Sequence, residues 1–76
     1  MSEPVILHWE RAIHKNVRSN DGVDVGNIIS ESGEYFTIMQ GASREYNLPK
    51  SCIEGFDGSE VYLNIPYADM RNYKVA

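Results

Sequence analysis

The sequence predicts an all-β fold, a small β-barrel of five to six short strands with a short C-terminal helical turn. Apolar and polar residues alternate in short runs, which is the period of a half-buried strand. Residues that favour turns bound every run, as in small barrels and strongly bent sheets. The chain has 76 residues, of which 42% are hydrophobic. That length is enough for one domain with one modest core.

The N-terminal segment, residues 1–12, is the ambiguous part of the chain. One interpretation is a helix that Ser2 caps, because apolar residues fall near one helical stripe at Ile6, Trp9, Ile13 and Val17. The preferred interpretation has Val5 to Leu7 extended and only Trp9 to His14 turning helically. Residues 13–76 then form the barrel domain.

The first strand pair lies in "KNVRSNDGVDVGNII". Asp21-Gly22 between two apolar runs predicts a hairpin with a type I′ turn, which needs positive φ at its centre. Val25 and Ile28 mark the next strand. Gly26 between them predicts a bulge or a tight bend, a common way for a barrel strand to turn a corner.

Two further strands lie in "SESGEYFTIMQGASREYNLP", with turns at Ser32-Gly33 and Gly41-Ala42. In the first of them, Phe36 and Ile38 share one face, and Tyr35, Thr37 and Met39 share the other. In the second strand Tyr46 and Leu48 share a face. Pro49 lacks a backbone donor and is expected to end the ladder.

The last strand pair is "CIEGFDGSEVYLNI", with its turn at Asp57-Gly58. Its second strand is expected to turn Tyr62 and Asn64 away from the core, because the opposite face carries Val61, Leu63 and Ile65. The segment "YADMRNYKV" then predicts a single helical turn. Its residues expected to pack on the sheet are Tyr67, Met70 and Tyr73.

Charge and composition argue against several classes of function. The formal net charge is −4 and the pI about 4.9, whereas a nucleic-acid-binding protein normally presents a basic face. The dense basic run "RAIHKNVR", with Arg11, His14, Lys15 and Arg18, is interpreted as a solvated turn in preference to an RNA contact. The start of the chain lacks a basic region before a long apolar core, so a cytoplasmic protein that meets a membrane only through a partner is expected.

No constellation for catalysis, metal or cofactor is recognisable, so a non-enzymatic protein is predicted. The single cysteine, Cys52, has no internal disulfide partner and is interpreted as an ordinary structural or surface thiol. Only two histidines, His8 and His14, are present, and a structural zinc site needs four ligands at short spacings. The short acidic loops "DGVDVG" and "DGSE" do not have calcium-loop spacing and are interpreted as turns.

The remaining signal is on the predicted surface. Tyr35, Met39 and Tyr62 fall on faces opposite the predicted core, and outward tyrosines and methionines often line protein-binding faces. They are equally compatible with isolated surface residues. Trp9 is expected to cover one end of the core, with partner binding as the alternative.

Two stretches, "KNVRSNDGVDVGNI" and "YNLPKSCIEGFDGSEVYLNI", resemble the PRC-barrel domain family. The family pattern has an apolar residue before an Asp-Gly turn, an apolar-Gly step, an apolar-Pro step, a Gly before an apolar strand and a closing aromatic. Its counterparts here are Val17, Asp21-Gly22, Val25-Gly26, Leu48-Pro49, Ile53, Gly58, Val61 to Leu63, and Tyr67 or Tyr73. The similarity covers roughly residues 13 to 75 and is strongest to stand-alone archaeal members.

The resemblance implies a small barrel that acts as an adaptor in protein–protein interactions. Family members include the H subunit of the photosynthetic reaction centre and a ribosome maturation factor that binds a ribosomal protein. Stand-alone archaeal members include cell-division factors that associate with a SepF-type membrane anchor. The expectation is therefore a cytoplasmic homodimer, or a heterodimer with a paralogue, in archaeal cell division. The alternative is an accessory protein for RNA processing or ribosome assembly.

Overall fold

The computed structural model describes residues 8–75. Within that range, six strands and three 3₁₀ helices follow one another. The strands are β1 (Asn16–Arg18), β2 (Asp24–Ser32), β3 (Tyr35–Gln40), β4 (Arg44–Pro49), β5 (Ile53–Phe56) and β6 (Glu60–Leu63). The 3₁₀ helices are Trp9–Arg11, Lys50–Cys52 and Tyr67–Tyr73. The predicted all-β class and strand number are confirmed, and the C-terminal helical segment is present but, with seven residues, longer than the single turn predicted.

The six strands form one mixed sheet in the order β4-β3-β2-β1-β6-β5. All neighbouring pairs are antiparallel except β1 and β6, which run parallel. The prediction of a closed barrel is wrong, because the edge strands β4 and β5 form no ladder with each other. Part of the outer edge of β4 is instead taken by the chain's own C-terminal residues: Lys74 bridges to Tyr46, and the Val75 amide donates to the Glu45 carbonyl.

The open sheet is nevertheless strongly bent. A flat six-stranded sheet would hold its edges about 24 Å apart, at about 4.8 Å per strand. Yet β4 and β5 lie at opposite edges and are joined only by the three residues Lys50–Cys52. Four residue steps, from Pro49 to Ile53, span at most about 15 Å. The connection therefore requires the sheet to curl, which produces a concave interior.

The core fills that interior, and its strand members are mainly the alternate residues predicted from the patterns, while Ala12 and Cys52 join it from outside the strands. Phe36, Ile38, Leu48, Val61 and Leu63 are all at most 1% exposed. The C-terminal 3₁₀ helix closes one side with Met70, while Tyr67 and Tyr73 pack partly buried against the same core. The alternation of buried and exposed residues thus sets which face of each strand remains for function.

Gly26 forms the predicted bulge and also permits a close approach between strands. The register between β1 and β2 shifts so that Val17 faces Gly26 while Arg18 faces Asp24. Gly26 has a φ of 112°, and a Cβ built on it would lie 2.3 Å from the Met39 carbonyl oxygen. Only glycine fits this position without moving β3.

The turn at Asp21-Gly22 differs from the predicted type I′ hairpin. Gly22 has a φ of 83°, but Asp21 is not in the positive-φ region that such a turn requires at both central positions. Five residues, 19–23, connect the strands, and the Gly22 amide donates to the Ser19 carbonyl. Asp21 instead uses its carboxylate to accept hydrogen bonds from the Ser19 hydroxyl and the Tyr67 amide.

The helical part of the N-terminal segment begins at Trp9, as preferred. The 3₁₀ helix Trp9–Arg11 is followed by turn residues, and Ala12 is fully buried in the core. The predicted extended run Val5 to Leu7, and the cap at Ser2, lie outside the described residues.

Candidate protein-binding surface

Tyr62 lies on the outer face of β6, with its neighbours in the strand, Val61 and Leu63, buried on the inner face. Its cross-strand partner in β5 is Gly55. A Cβ built on Gly55 would be 3.9 Å from Tyr62 Cδ2, so the ring lies close to the backbone of this edge strand. An aromatic ring beside an edge glycine replaces the packing that the glycine lacks.

Asp57 fixes the other end of the Tyr62 side chain. The Tyr62 hydroxyl donates to Asp57 Oδ2 at 2.8 Å. Asp57 Oδ1 accepts hydrogen bonds from the amides of Ser59 and Glu60 and from the Ser59 hydroxyl. These bonds, led by the Glu60 amide, hold the pKa of the Asp57 carboxyl well below its usual range. The bond to Asp57 raises the pKa of Tyr62.

Arg18 lies beside Tyr62 on the neighbouring parallel strand β1. Its Nε donates to Glu60 Oε2 at 2.7 Å, and Asn16 Nδ2 donates to the same oxygen at 3.1 Å. A second bond runs from Arg18 Nη1 to the Gly22 carbonyl at 3.1 Å. The guanidinium is therefore held in place from two directions, which reduces the side-chain entropy that a binding event would otherwise cost.

These residues line a shallow groove of about 410 Å³. Tyr62, Arg18 and the edge-strand residues Glu54 and Gly55 form its sides, together with the hairpin loop at Ser19 and Asn20. The groove combines an aromatic ring, an arginine and a nearby carboxylate at a sheet edge. Tyrosine and arginine are enriched at the centres of protein interfaces. We refer to this feature as the Tyr62 groove.

Trp9 covers one end of the core, as the sequence predicted. Its ring centroid is 5.4 Å from that of Phe36, with the planes at 37°. Lys50 Nζ lies 4.7 Å from the centroid of the Trp9 ring and 2.5 Å from Glu31 Oε2. The cation–π contact and the ion pair thus share one ammonium group. These contacts place Trp9 at the end of the core, and its alternative role in partner binding stays a prediction.

The other two predicted binding residues lie apart from the Tyr62 groove. Tyr35 is 51% exposed and borders a small depression with Pro49 and Lys50, near the Trp9 end. Met39 is partly buried on the outer face of β3. Strands β2 and β1 lie between β3 and β6. The two strands are therefore three inter-strand spacings, or about 14 Å, apart along the sheet. The four predicted residues therefore do not form one continuous patch.

The cysteine and the two histidines of the chain lie apart from the Tyr62 groove. Cys52 is buried, and this burial raises the pKa of its thiol, which opposes thiolate formation. His8 and His14 are exposed. Within residues 8–75, no three histidine, cysteine, aspartate or glutamate side chains come close enough together to hold a metal ion. The same range contains no helix that is both long and apolar enough to cross a membrane.

The predicted turn residues occupy loops and a strand end. Gly22 and Gly58 have positive φ in the two hairpin loops, while Pro49 is the last residue of β4. Asp57 belongs to a turn, as predicted, but it also positions Tyr62, which the sequence did not indicate.

Sequence reasoning missed Arg18 and Gly55 as parts of the groove. Arg18 was assigned to a solvated basic turn, because only the parallel pairing of β1 with β6 places it beside Tyr62. Gly55 carries a usable signal, since a glycine inside a strand often marks a close approach by another group.

Searches of protein-family models, curated proteins and solved structures find no match to this chain. The similarity to the PRC-barrel family therefore gains no support from these comparisons and stays a prediction.

Proposed function

We propose that this protein is a non-enzymatic adaptor that binds another protein through the Tyr62 groove. The observation that supports the proposal is the fixed placement of Tyr62 over Gly55, between Asp57 and Arg18. An aromatic ring and an arginine that are already ordered lose little entropy on binding. The groove borders β5, an edge strand of the sheet, and edge strands readily accept a further strand.

Within this proposal the partner is a second copy of the chain, a paralogue, or a component of the archaeal cell-division apparatus such as a SepF-type anchor. The sequence resemblance to PRC-barrel adaptors motivates that choice, and a cytoplasmic location goes with it. The alternative function, an accessory role in RNA processing or ribosome assembly, rests on the family's ribosome-binding member.

The test compares Tyr62→Glu with Tyr62→Phe in affinity purification from native cells, followed by mass spectrometry. Tyr62→Glu places a second negative charge beside Asp57 and removes the ring, so it should lose the partner. Tyr62→Phe keeps the ring and should retain most of the binding. Asn47→Glu is the matched control. Asn47 is exposed on β4, so this substitution adds the same charge away from the groove.

Recovery of division proteins or a paralogue with the wild type, and their loss only with Tyr62→Glu, would support the adaptor role. Ribosomal proteins or ribosomal RNA in their place would support the alternative. Thermal unfolding of each variant shows whether it is folded. A folded Tyr62→Glu variant that recovers the same partners as the wild type would refute the assignment to this groove.

A further inference from the structure

A second groove, on the opposite edge of the sheet, is lined by basic and aromatic side chains. It lies between β4 and the C-terminal 3₁₀ helix, has a volume of about 340 Å³, and its lining contains no acidic residue. We call it the cationic groove; its sides are formed by Arg44, Arg71, Lys74 and Tyr67, over Tyr46 and Met70.

Three cations in one groove are a marked concentration for this chain. The whole sequence has seven lysines and arginines and a net charge of −4. Of the other four cations, Arg18 and Lys50 are paired with Glu60 and Glu31. No carboxylate among residues 8–75 lies within ion-pair distance of Arg44, Arg71 or Lys74, and the same holds for Arg11 and Lys15 outside the groove.

The donors of the cationic groove are also largely unused. Arg44 Nη1 makes one long contact, 3.5 Å, to the Tyr67 hydroxyl. The side chains of Arg71 and Lys74 donate no hydrogen bond to any residue that the structure describes. A guanidinium carries five N–H donors in a planar fork that matches a carboxylate.

The base of the groove is built before any ligand binds. The hydroxyls of Tyr46 and Tyr67 both donate to Gln40 Oε1, at 3.0 and 3.3 Å. Met70 beneath them is 1% exposed, and the amide of Val75 ties the chain end to β4 through the Glu45 carbonyl. A ligand would therefore meet a preformed, mainly aromatic base with a rim of cations.

We infer that the cationic groove binds an acidic segment of a partner protein, with its carboxylates on Arg44, Arg71 and Lys74 and its apolar side chains over Tyr67 and Ala68. Charge complementarity selects the carboxylates, and the aromatic base selects a peptide rather than a bare polyanion. A nucleic acid needs a longer basic track, and the acidic balance of the chain opposes one. The inference does not depend on the Tyr62 groove.

The test is a titration of the ¹⁵N-labelled full chain with a blocked peptide of glutamates and leucines, followed by NMR. The expected shifts are centred on Tyr67, Ala68, Met70 and Arg71. The same peptide with glutamine in place of every glutamate should bind far more weakly. Arg71→Gln with Lys74→Gln should weaken binding roughly ten-fold, taking about three-fold for each exposed ion pair.

The matched control is Arg11→Gln with Lys15→Gln, which removes the same charge outside the groove and should leave the affinity almost unchanged. Tyr62→Glu should also leave it unchanged, so failure of this inference is separable from failure of the proposed adaptor site. Equal binding of the glutamine peptide, equal loss in the control variant, or shifts centred elsewhere would each overturn the inference. Tighter binding of an oligouridylate at the same amides would overturn it in favour of RNA.

Discussion

Gly26→Ala tests whether the contact of β2 with β3 depends on the absence of a side chain. The new Cβ would lie 2.3 Å from the Met39 carbonyl oxygen, 2.8 Å from its carbon and 2.9 Å from the Gln40 Cα. All three are backbone atoms, so no side-chain rotation can relieve the clash. Either the two strands separate, or the bulge at Val25 is rearranged.

The expected destabilisation has two parts. A non-glycine residue at a φ of 112° carries strain of about 1–3 kcal/mol. Displacing packed neighbours adds about 1–3 kcal/mol. A domain of this length has a free energy of unfolding of about 4–11 kcal/mol. Gly26→Ala should therefore remove a large part of the stability, and it would unfold the protein if the free energy of unfolding lies at the low end of that range.

Gly22→Ala is the matched control. Gly22 also has a positive φ, of 83°, but a Cβ there would meet no atom within 4 Å. Gly22→Ala should lower the free energy of unfolding only through the strain of a positive φ, by about 1–2 kcal/mol. Urea denaturation followed by fluorescence of Trp9, the chain's single tryptophan, would measure both variants. If Gly26→Ala is no more destabilised than Gly22→Ala, the inference that β2 and β3 approach too closely for a side chain at this position is wrong.

Three further predictions concern single contacts. Asp57 has a folded-state pKa below its ordinary value of 3.8, so its hydrogen bonds stabilise the fold above about pH 4 and are lost as the pH falls towards the folded-state pKa. In Asp57→Asn, the loss of thermal stability on acidification should be shallower than in the wild type. An identical loss in both proteins would contradict this role. Lys50→Met removes the ammonium group beside Trp9 and Glu31 while keeping an apolar stem. It should lower the free energy of unfolding, measured by urea denaturation, by about 0.5–1.5 kcal/mol. An unchanged midpoint of the urea transition would exclude a stabilising contact. Cys52 is buried, so its reaction with a disulfide reagent should be far slower in the native protein than in urea, whereas equal rates would place the thiol at the surface.

The sequence was most informative where hydrophobic alternation is regular. Phe36 and Ile38, and likewise Val61 and Leu63, were assigned to the inner face from their spacing alone, and all four are buried. A strand has only two faces, so the burial of one residue determines the side of its neighbours. The bulge at Gly26 and the packing of Met70 were also predictable. A glycine inside a strand often marks a bulge, and an apolar side chain on a helical turn next to a sheet normally packs against it.

The turn chemistry was less predictable than its position. Asp-Gly correctly marked the end of β1, but a five-residue loop replaced the two-residue hairpin. The side chain of Asp21 hydrogen-bonds to Tyr67, which is distant in sequence. A dipeptide preference contains no information about such a tertiary contact.

By itself, the sequence determined the class of fold, the faces of the strands and the absence of a recognisable catalytic motif. These depend on short-range patterns, which the order of residues carries directly. The tertiary structure decided that the sheet stays open, that β1 and β6 pair in parallel, and that Arg18 lies beside Tyr62. It also gathered Arg44, Arg71 and Lys74 around one groove. Contacts between residues far apart in the chain arise from how the sheet bends and which edges are covered, and no local pattern specifies them.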